Sequence, residues 1–212
     1  DHKMDEYCKL LESFNHLSIR EEQGKKIIKK LINRDAEVVL DPTMLLAKEE
    51  WEELACEYED RDYILVYRFS GSKKMDTFIE KLSQETGCRI VIISYSLKRR
   101  LKAKYEKIVG PLEFLGLFKN AKYVVTNSFH GTAFSILFNK DFFIEMLPES
   151  RGVNSRLVNL LNLFNLQSRE IIDGQNKYIH KEIDYTYINK KIEKERASSI
   201  QFIRKIIDGE NK

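Results

Sequence analysis

The chain has 212 residues, 42% hydrophobic and 33% charged, and its 36 basic and 33 acidic side chains leave a formal net charge of only +3. This length suits one large domain, or one domain with part of another. The balanced charge argues against a nucleic-acid-binding domain, which concentrates basic residues in a stripe. The longest apolar runs, such as Ile90–Ile93, are far shorter than the ~18 residues that predict a membrane helix.

Segments of strand and helix character alternate from the amino terminus onward. Ile27, Ile28, Leu31 and Ile32 recur with helical spacing and predict one buried helix face. The elements predicted up to residue 69 are strand Leu17–Arg20, helix Glu21–Ile32, strand Val38–Leu40, helix Lys48–Glu59 and strand Tyr63–Phe69.

After residue 70 the alternation becomes regular. Gly87 gives a helix C-terminal signal, Pro111 gives a helix start, and the basic segment Lys98–Lys107 is predicted to be a short helix or loop. The other predicted elements are helix Lys73–Thr86, strand Arg89–Tyr95, helix Pro111–Phe118, strand Tyr123–Thr126, helix Thr132–Phe138, strand Phe142–Met146, helix Ser155–Phe164 and helix Tyr185–Ile207.

Strands separated by helices predict an α/β fold, a Rossmann-like parallel sheet with helices on both faces. An additional edge strand is predicted at Glu170–Ile172. Residues 1–46 have no complete core of their own and are interpreted as the tail of a preceding domain with an interdomain linker. Residues 47–212 are interpreted as a C-terminal Rossmann-like domain. The chain begins at Asp1 rather than Met, which suggests a piece of a longer protein.

The cysteines and histidines show no metal or disulfide pattern. Cys8, Cys56 and Cys88 lie far apart without a CxxC pair, which predicts neither a disulfide framework nor a structural zinc site. The four histidines show no HExxH or similar ligand spacing, so no metal is expected. No signal peptide is recognised, and a reducing cytoplasm fits the three thiols.

The turn at residues 127–131 carries the most chemistry. Asn127, Ser128, Phe129, His130 and Gly131 stand where an open parallel sheet presents the ends of its strands. Unpaired N–H groups are expected at the start of the following helix, from residue 132 onward, and such groups attract an anion. Histidine exchanges protons near neutral pH. The turn therefore predicts a proton carrier beside an anion site.

Four segments together resemble the polysaccharide pyruvyl transferase family. They are LSIREEQGKKIIKKL (17–31), DPTMLL (41–46), GPLEFLGLFKNAKYVVTNSFHGTAFSILFNK (110–140) and NSRLVNLLNLFNL (154–166). Their order and spacing are similar to the C-terminal half of the family. Many relatives carry an arginine two positions before the histidine, where this chain has Ser128.

The resemblance implies two Rossmann-like domains facing a cleft, as in glycosyltransferases of the B type. It implies transfer of a pyruvyl group from phosphoenolpyruvate to a sugar of a bacterial surface or capsular polysaccharide, giving a pyruvate ketal. Phosphoenolpyruvate is then the donor substrate and no separate cofactor is expected. The implied partner is a glycan or lipid-linked sugar acceptor, met in the cytoplasm or at the inner face of the membrane.

His130 is the candidate acid/base, because ketal formation needs a proton delivered to the donor and another removed from the attacking hydroxyl. Its structural alternative is a histidine that only hydrogen-bonds its own loop. Asn127 and Ser128 are candidate ligands of the donor's phosphate or carboxylate, or simple helix caps. Gly131 lets backbone approach a ligand or lets two elements pack, and Thr132 adds a hydroxyl at the same helix end.

Three arginines are candidate anion ligands. Arg20 matches the arginine of the family's SxRE segment, and the alternative is a surface arginine paired with a neighbouring glutamate. Arg156, with Asn154, starts a helix after the last strand and could supply the charge that Ser128 lacks; surface solvation is the alternative. Arg68, near the end of a strand, points to the ligand edge of the sheet.

The basic cluster of residues 98–107 is interpreted as a solvated face, with contact to an anionic lipid-linked sugar as the functional alternative. Two other functions stay open. A nucleotide-sugar glycosyltransferase of the same architecture would use a glutamate on the donor ribose, and Glu145 is placed for that role. A non-catalytic fragment that pairs with another chain is the third hypothesis.

Overall fold

The computed structural model describes residues 2–94, 100–177 and 179–209. By internal packing the chain divides into two compact units, one running to Leu45 and resuming at Thr186, the other spanning Leu46–Tyr185. The domain boundaries expected from the sequence, at residues 1–46 and 47–212, stay a prediction.

The larger unit is built on a parallel sheet of five strands flanked by helices. Its strands are β3 (Tyr63–Tyr67), β4 (Ile90–Ile93), β5 (Lys104–Glu106), β6 (Ala121–Thr126) and β7 (Asp141–Ile144), in the spatial order β5-β4-β3-β6-β7. Every neighbouring pair is parallel, with Leu65 of β3 opposite Val91 on one side and Val124 on the other. The predicted α/β class with a Rossmann-like parallel sheet is confirmed.

Within the described part of the chain, five helices flank the sheet of this unit, and local capping chemistry sets several of their ends. They are α3 (Lys48–Leu54), α4 (Lys73–Thr86), α5 (Pro111–Asn120), α6 (Phe129–Leu137) and α7 (Ser155–Phe164). Ser72 caps α4 by accepting a hydrogen bond from Met75 N at 2.9 Å, and Gly87 ends it with a left-handed φ of 70°. Pro111 opens α5 at a position that needs no N–H.

The core of the larger unit lies along the central strands. Residues 63–66 of β3 are completely buried, and Phe78 of α4 packs against Phe143 of β7 with ring centroids 4.9 Å apart. A central strand covered on both faces reads as a continuous apolar run, which explains why the sequence YILVY predicted β3 clearly.

The smaller unit contains α1 (His2–Glu12), β1 (Ser18–Ile19), α2 (Glu22–Ile32), β2 (Glu37–Val38) and most of α8 (Tyr185–Ile207). β1 and β2 pair in parallel. Leu40 N donates to Ser199 Oγ at 3.0 Å and Arg196 Nε donates to Met44 O at 3.0 Å, so α8 is tied to the segment that follows β2. Ile27 is 50% exposed, so the predicted buried face of α2 is wrong at that residue.

Two predictions in the larger unit are wrong because tertiary hydrogen bonds override local pattern. The helix expected to reach Glu59 ends at Leu54, since Cys56 N donates to Leu112 O at 3.1 Å in extended backbone. The basic segment contains β5, an edge strand without apolar alternation, because edge strands tolerate charged side chains. Lys98 and Arg99 of that segment lie outside the described residues.

The predicted edge strand Glu170–Ile172 forms only single bridges, with Ile144 in parallel and with Gln175 in antiparallel orientation. The helix expected from Thr132 begins at Phe129 instead, and Ser128 is its N-cap. The N–H groups at the start of this helix are therefore those from Phe129 onward, and not those from Thr132 onward. Cys8, Cys56 and Cys88 are free thiols.

Candidate active site

The order of the strands creates a crevice at the carboxyl ends of β3 and β6. From β3 the chain continues through α4 to β4 on one side, whereas from β6 it continues through α6 to β7 on the other. Where successive connections leave adjacent strands in opposite directions, the loops separate and leave room for a ligand. The turn at residues 127–131 follows β6 directly and therefore lies in this crevice.

A cavity of about 390 Å³ occupies this place, and we call it the switch-point cavity. Five residues predicted from the sequence are brought together around it: Asn127, Ser128, His130, Asn154 and Arg156. The other residues that line it are Phe69, Phe129, Leu147, Val153 and Leu157.

Asn127 holds the loop after β3. Its Oδ1 accepts from Phe69 N at 2.9 Å and its Nδ2 donates to Ser70 O at 2.8 Å, and the residue is only 4% exposed. Both ends of the amide are therefore engaged with backbone, and this side chain fixes one wall of the switch-point cavity. A direct contact with the donor stays a prediction.

Asn154 does the same for the loop after β7. Its Nδ2 donates to Leu147 O at 2.6 Å, and its Oδ1 accepts from Leu147 N at 3.2 Å. This reciprocal pair closes the segment from Leu147 to Asn154 and positions the first turn of α7, which carries Arg156. The two asparagines thus pin the two loops that flank the cavity.

Ser128, Gly131 and Thr132 hold the turn together from inside. Ser128 is buried, its Oγ accepts from Gly131 N at 3.3 Å, and its carbonyl accepts from Thr132 Oγ1 at 3.1 Å. A Cβ on Gly131 would overlap Thr126 Oγ1 and lie 3.1 Å from the Tyr67 ring. The glycine therefore lets α6 pack closely on β3 and β6. Thr132 is fully buried, neither Gly131 nor Thr132 is among the residues that line the cavity, and their contact with a substrate stays a prediction.

His130 and Arg156 are the two side chains of the cavity suited to proton transfer and anion binding. The His130 and Phe129 rings have centroids 5.4 Å apart in an edge-to-face arrangement, and Arg156 Cζ lies 5.3 Å from the Phe129 ring centre. Both polar groups therefore lie around one aromatic ring. The N-terminus of α6, which begins with Phe129 and His130, adds positive partial charge at the same place.

Arg68 lies elsewhere. It follows β3 but is not among the residues that line the switch-point cavity, and its Nη1 pairs with Asp76 Oδ1 at 2.5 Å. The sequence placed it correctly at the carboxyl end of the sheet, but the structure directs it to the β4 side. Its predicted part in binding the substrate stays a prediction.

Arg20 belongs to the smaller unit, directly after β1, and pairs with the buried Asp41. Burial would raise the pKa of the Asp41 carboxyl, but hydrogen bonds from the Thr43 amide and hydroxyl, with the Arg20 guanidinium, outweigh it and lower that pKa. Arg20 is therefore held by a charged partner, and its predicted role as an anion ligand stays a prediction.

The apolar part of the cavity was not predicted from the sequence. Phe69, Leu147, Val153 and Leu157 come from three separate loops and helices, and nothing in their local pattern marks them. Phe129 stood inside the recognised turn, and its neighbours on both sides were singled out. The stacking of Arg156 on Phe129 depends on their proximity in the folded structure, and the sequence alone does not show that proximity.

Comparison of the sequence with models of known protein families assigns the chain to a family. The model for polysaccharide pyruvyl transferase matches residues 2–144. The chain is a member of the polysaccharide pyruvyl transferase family. This confirms the resemblance, and the match includes the turn with His130. The segment at 154–166 lies beyond the matched residues.

Several solved structures show weaker similarity to this family member. One is a putative UDP-N-acetylglucosamine 2-epimerase from Listeria monocytogenes, with a TM-score of 0.48 and 10% identity, covering 88% of this chain and 54% of that one. Another is UDP-GlcNAc 2-epimerase from Neisseria meningitidis, with a TM-score of 0.44 and 11% identity, covering 84% and 60%. The chain spans about half to three-fifths of the length of such structures. Comparison with curated proteins gives no match.

Two searches of the described residues concern metals and membranes. Within residues 2–94, 100–177 and 179–209, no three His, Cys, Asp or Glu side chains are placed to hold a metal ion. In the same part of the chain, every helix is too short or too polar to span a bilayer.

Proposed function

We propose that this protein transfers a pyruvyl group from phosphoenolpyruvate to two hydroxyls of one sugar in a bacterial glycan, forming a ketal and releasing phosphate. The observation that carries the proposal is the switch-point cavity, which joins His130 and Arg156 in a chain of the pyruvyl transferase family. Family membership supports the class of reaction, and the cavity supplies residues suited to it.

The donor is a carboxylate and a phosphate ester on one small carbon skeleton, so its binding needs positive charge. Arg156 offers a planar guanidinium that can donate two parallel hydrogen bonds to a carboxylate or phosphate. Its stacking on Phe129 holds it at the cavity without neutralising it. The N-terminus of α6 adds to the attraction.

His130 then gives a proton to the methylene carbon of the donor, which becomes a methyl group, and the adjacent carbon becomes electron-deficient. One sugar hydroxyl attacks that carbon and loses its proton to the imidazole, which restores His130. The bond from this carbon to the phosphate oxygen breaks, and the second hydroxyl closes the ketal while its proton leaves with phosphate. The apolar walls formed by Leu147, Val153 and Leu157 disfavour attack by water.

The remaining predicted residues support this arrangement. Asn127 and Asn154 hold the loops, and Ser128, Gly131 and Thr132 build the turn beneath His130. Arg20 keeps its proposed anion-binding role through the resemblance alone. The three free thiols fit the expected cytoplasmic location, where the acceptor would be met as a glycan or a lipid-linked sugar.

A nucleotide-sugar glycosyltransferase is not favoured by the geometry. Glu145, the residue assigned to a ribose, accepts a hydrogen bond from Ser72 Oγ at 2.6 Å and is not among the residues lining the switch-point cavity. Binding of a uridine diphosphate is therefore kept as an outcome of the test.

The proposal is tested with the full-length protein, phosphoenolpyruvate and a panel of lipid-linked and nitrophenyl sugars, following release of phosphate. We expect acceptor-dependent release, and a loss on the order of 10²–10⁴-fold in His130→Ala. His180→Ala is the matched control, because His180 is exposed and pairs with Glu85 away from the cavity. Full activity in His130→Ala would remove His130 from the mechanism.

Arg156→Gln tests the donor site separately. We expect a higher KM for phosphoenolpyruvate, and partial recovery in Arg156→Lys because a point charge replaces the fork. If no acceptor sugar supports release of phosphate, calorimetric titration with phosphoenolpyruvate shows whether the protein binds this donor. Absence of donor binding contradicts the proposal, and binding of uridine diphosphate instead favours the glycosyltransferase.

A further inference from the structure

A second cavity lies at the carboxyl ends of β3 and β4, on the other side of Phe69 from the switch-point cavity. Its volume is about 240 Å³, and Phe69 is the one residue that both cavities share among those that line them. We call it the β3–β4 cavity. Its lining residues are Arg68, Phe69, Ser70, Gly71, Ile92, Ile93, Ser94, Arg100 and Tyr105.

The described charged groups at the β3–β4 cavity are in positive excess. Arg68 Nη1 lies 2.5 Å from Asp76 Oδ1, and Arg100 Nη1 lies 3.9 Å from Asp76 Oδ2. Two guanidinium groups therefore share one carboxylate, which leaves one positive charge in excess. An anion that reached both arginines would complete the pairing.

Most N–H groups of the Arg68 guanidinium have no hydrogen-bond acceptor among the described residues. Its side chain is 11% exposed, and among the described residues only Nη1 of its guanidinium has an acceptor. The group has five N–H donors in a fixed fork. None of its nitrogen atoms is among the described buried atoms that lack a partner, so the remaining donors reach the water in the cavity. An anionic ligand in the cavity could accept hydrogen bonds from them in place of water.

Gly71 keeps space open beside this guanidinium. A Cβ at Gly71 would lie 3.0 Å from Arg68 Cζ and 3.1 Å from Nη2, closer than most side-chain contacts. The φ of Gly71 is not in the left-handed region, so backbone conformation does not demand glycine here. Because it has no side chain, Gly71 leaves space next to the N–H groups of Arg68.

We propose that the β3–β4 cavity binds a phosphate group through Arg68 and Arg100, as a site separate from the switch-point cavity. Guanidinium groups match phosphate oxygens in pairs, and a tetrahedral anion can reach two arginines from different sides. The volume equals about eight water molecules at ~30 Å³ each, which admits the phosphate and part of the molecule that carries it. The proposal does not rest on pyruvyl transfer.

The test is calorimetric titration of the full-length protein with inorganic phosphate and, separately, with a hexose 1-phosphate at low salt. All titrations use an Arg156→Gln background, so that phosphate held at the switch-point cavity does not obscure the result. We expect saturable binding that Arg100→Gln weakens about tenfold or more. Arg89→Gln is the matched control, because Arg89 is an exposed arginine before β4 that pairs with Asp60.

Arg68→Gln is the second variant, with its fold checked by circular dichroism, because it leaves Asp76 without its nearest partner. Weakened binding in either arginine variant, with Arg89→Gln unchanged, supports the site. Equal affinity for the two probes then indicates free phosphate as the ligand, and tighter hexose phosphate indicates a phosphorylated sugar. Absence of saturable binding, or binding that neither variant changes, overturns the proposal.

Discussion

Single residues of the candidate active site act through their neighbours. Arg156 and His130 both contact Phe129, so one ring holds a charged group and a proton carrier at the same cavity wall. The side-chain amides of Asn127 and Asn154 each donate one hydrogen bond to a backbone carbonyl and accept one from a backbone N–H. Residue type alone suggested ligand contacts for the asparagines, whereas their hydrogen bonds show that they fix loops.

Lys140 is a residue whose surroundings make the stability of the protein depend on pH. Burial lowers the pKa of its ammonium to about 8, the nearby Lys48 acts in the same direction, and its Nζ donates to Lys119 O at 2.6 Å. The folded state therefore binds fewer protons than the unfolded state between about pH 8 and the ordinary lysine pKa, and stability attributable to this group rises with pH in that window.

We expect the wild type to gain stability relative to Lys140→Met as pH rises from 7.5 to 10. The gain is about 1–2 kcal/mol in the free energy of unfolding, since one pKa unit corresponds to ~1.36 kcal/mol. Urea denaturation at several pH values measures it. Lys122→Met removes a charge at an exposed position and serves as control. A pH-independent difference between wild type and Lys140→Met would contradict the shift.

At the scale of elements, the loops around the switch-point cavity are held by matching devices. Asn127 binds the Phe69 amide after β3, and Asn154 binds the Leu147 amide after β7. Each side chain therefore protects one backbone N–H of one loop. Losing the acceptor leaves that N–H free to open to water.

We expect Asn127→Ala to speed hydrogen exchange at the Phe69 amide and leave the Leu147 amide unchanged, and Asn154→Ala to do the reverse. The loss of one hydrogen bond of about 1 kcal/mol corresponds to roughly five- to tenfold faster exchange. Amide exchange followed by NMR measures both sites in each variant, so each variant is the control for the other. Equal acceleration at both amides would mean that the loops open together.

Helices with clear capping residues and regular apolar spacing could be predicted from the sequence. Elements that depend on contacts with a neighbouring strand or helix could not. The bounds of α4, α7 and α8 are those predicted, because caps such as Ser72 and Gly87 and a regular apolar spacing act within the segment. β5 was missed because an edge strand owes its existence to β4 rather than to its own residues. The start of α6 was misplaced by three residues because Gly131 looks like a break but is a packing glycine.

At the scale of the whole molecule, the smaller unit is assembled from distant parts of the sequence. Leu40 N donates to Ser199 Oγ, and both residues are buried. This bond joins positions 159 residues apart. A buried N–H without an acceptor costs free energy, so this serine stabilises the association of α8 with the segment after β2.

We expect Ser199→Ala to lower the free energy of unfolding of the smaller unit by about 1–3 kcal/mol, because Leu40 N loses its acceptor. Ser198→Ala is the matched control, since Ser198 is exposed on the same helix. Hydrogen exchange at Leu40, with urea denaturation, measures the effect. A change no larger than that of Ser198→Ala would show that water replaces the hydroxyl.

The sequence by itself determined the α/β class, the family and the turn with His130, because these depend on local periodicity and on motifs contiguous in the chain. Only the tertiary structure decided that β3 and β6 are neighbours, which places the turn in a crevice and brings Phe69 and Arg156 to it. It also decided that Arg68 faces Asp76 on the β4 side. Strand order is set by packing between distant segments, and a linear pattern of residues does not contain it.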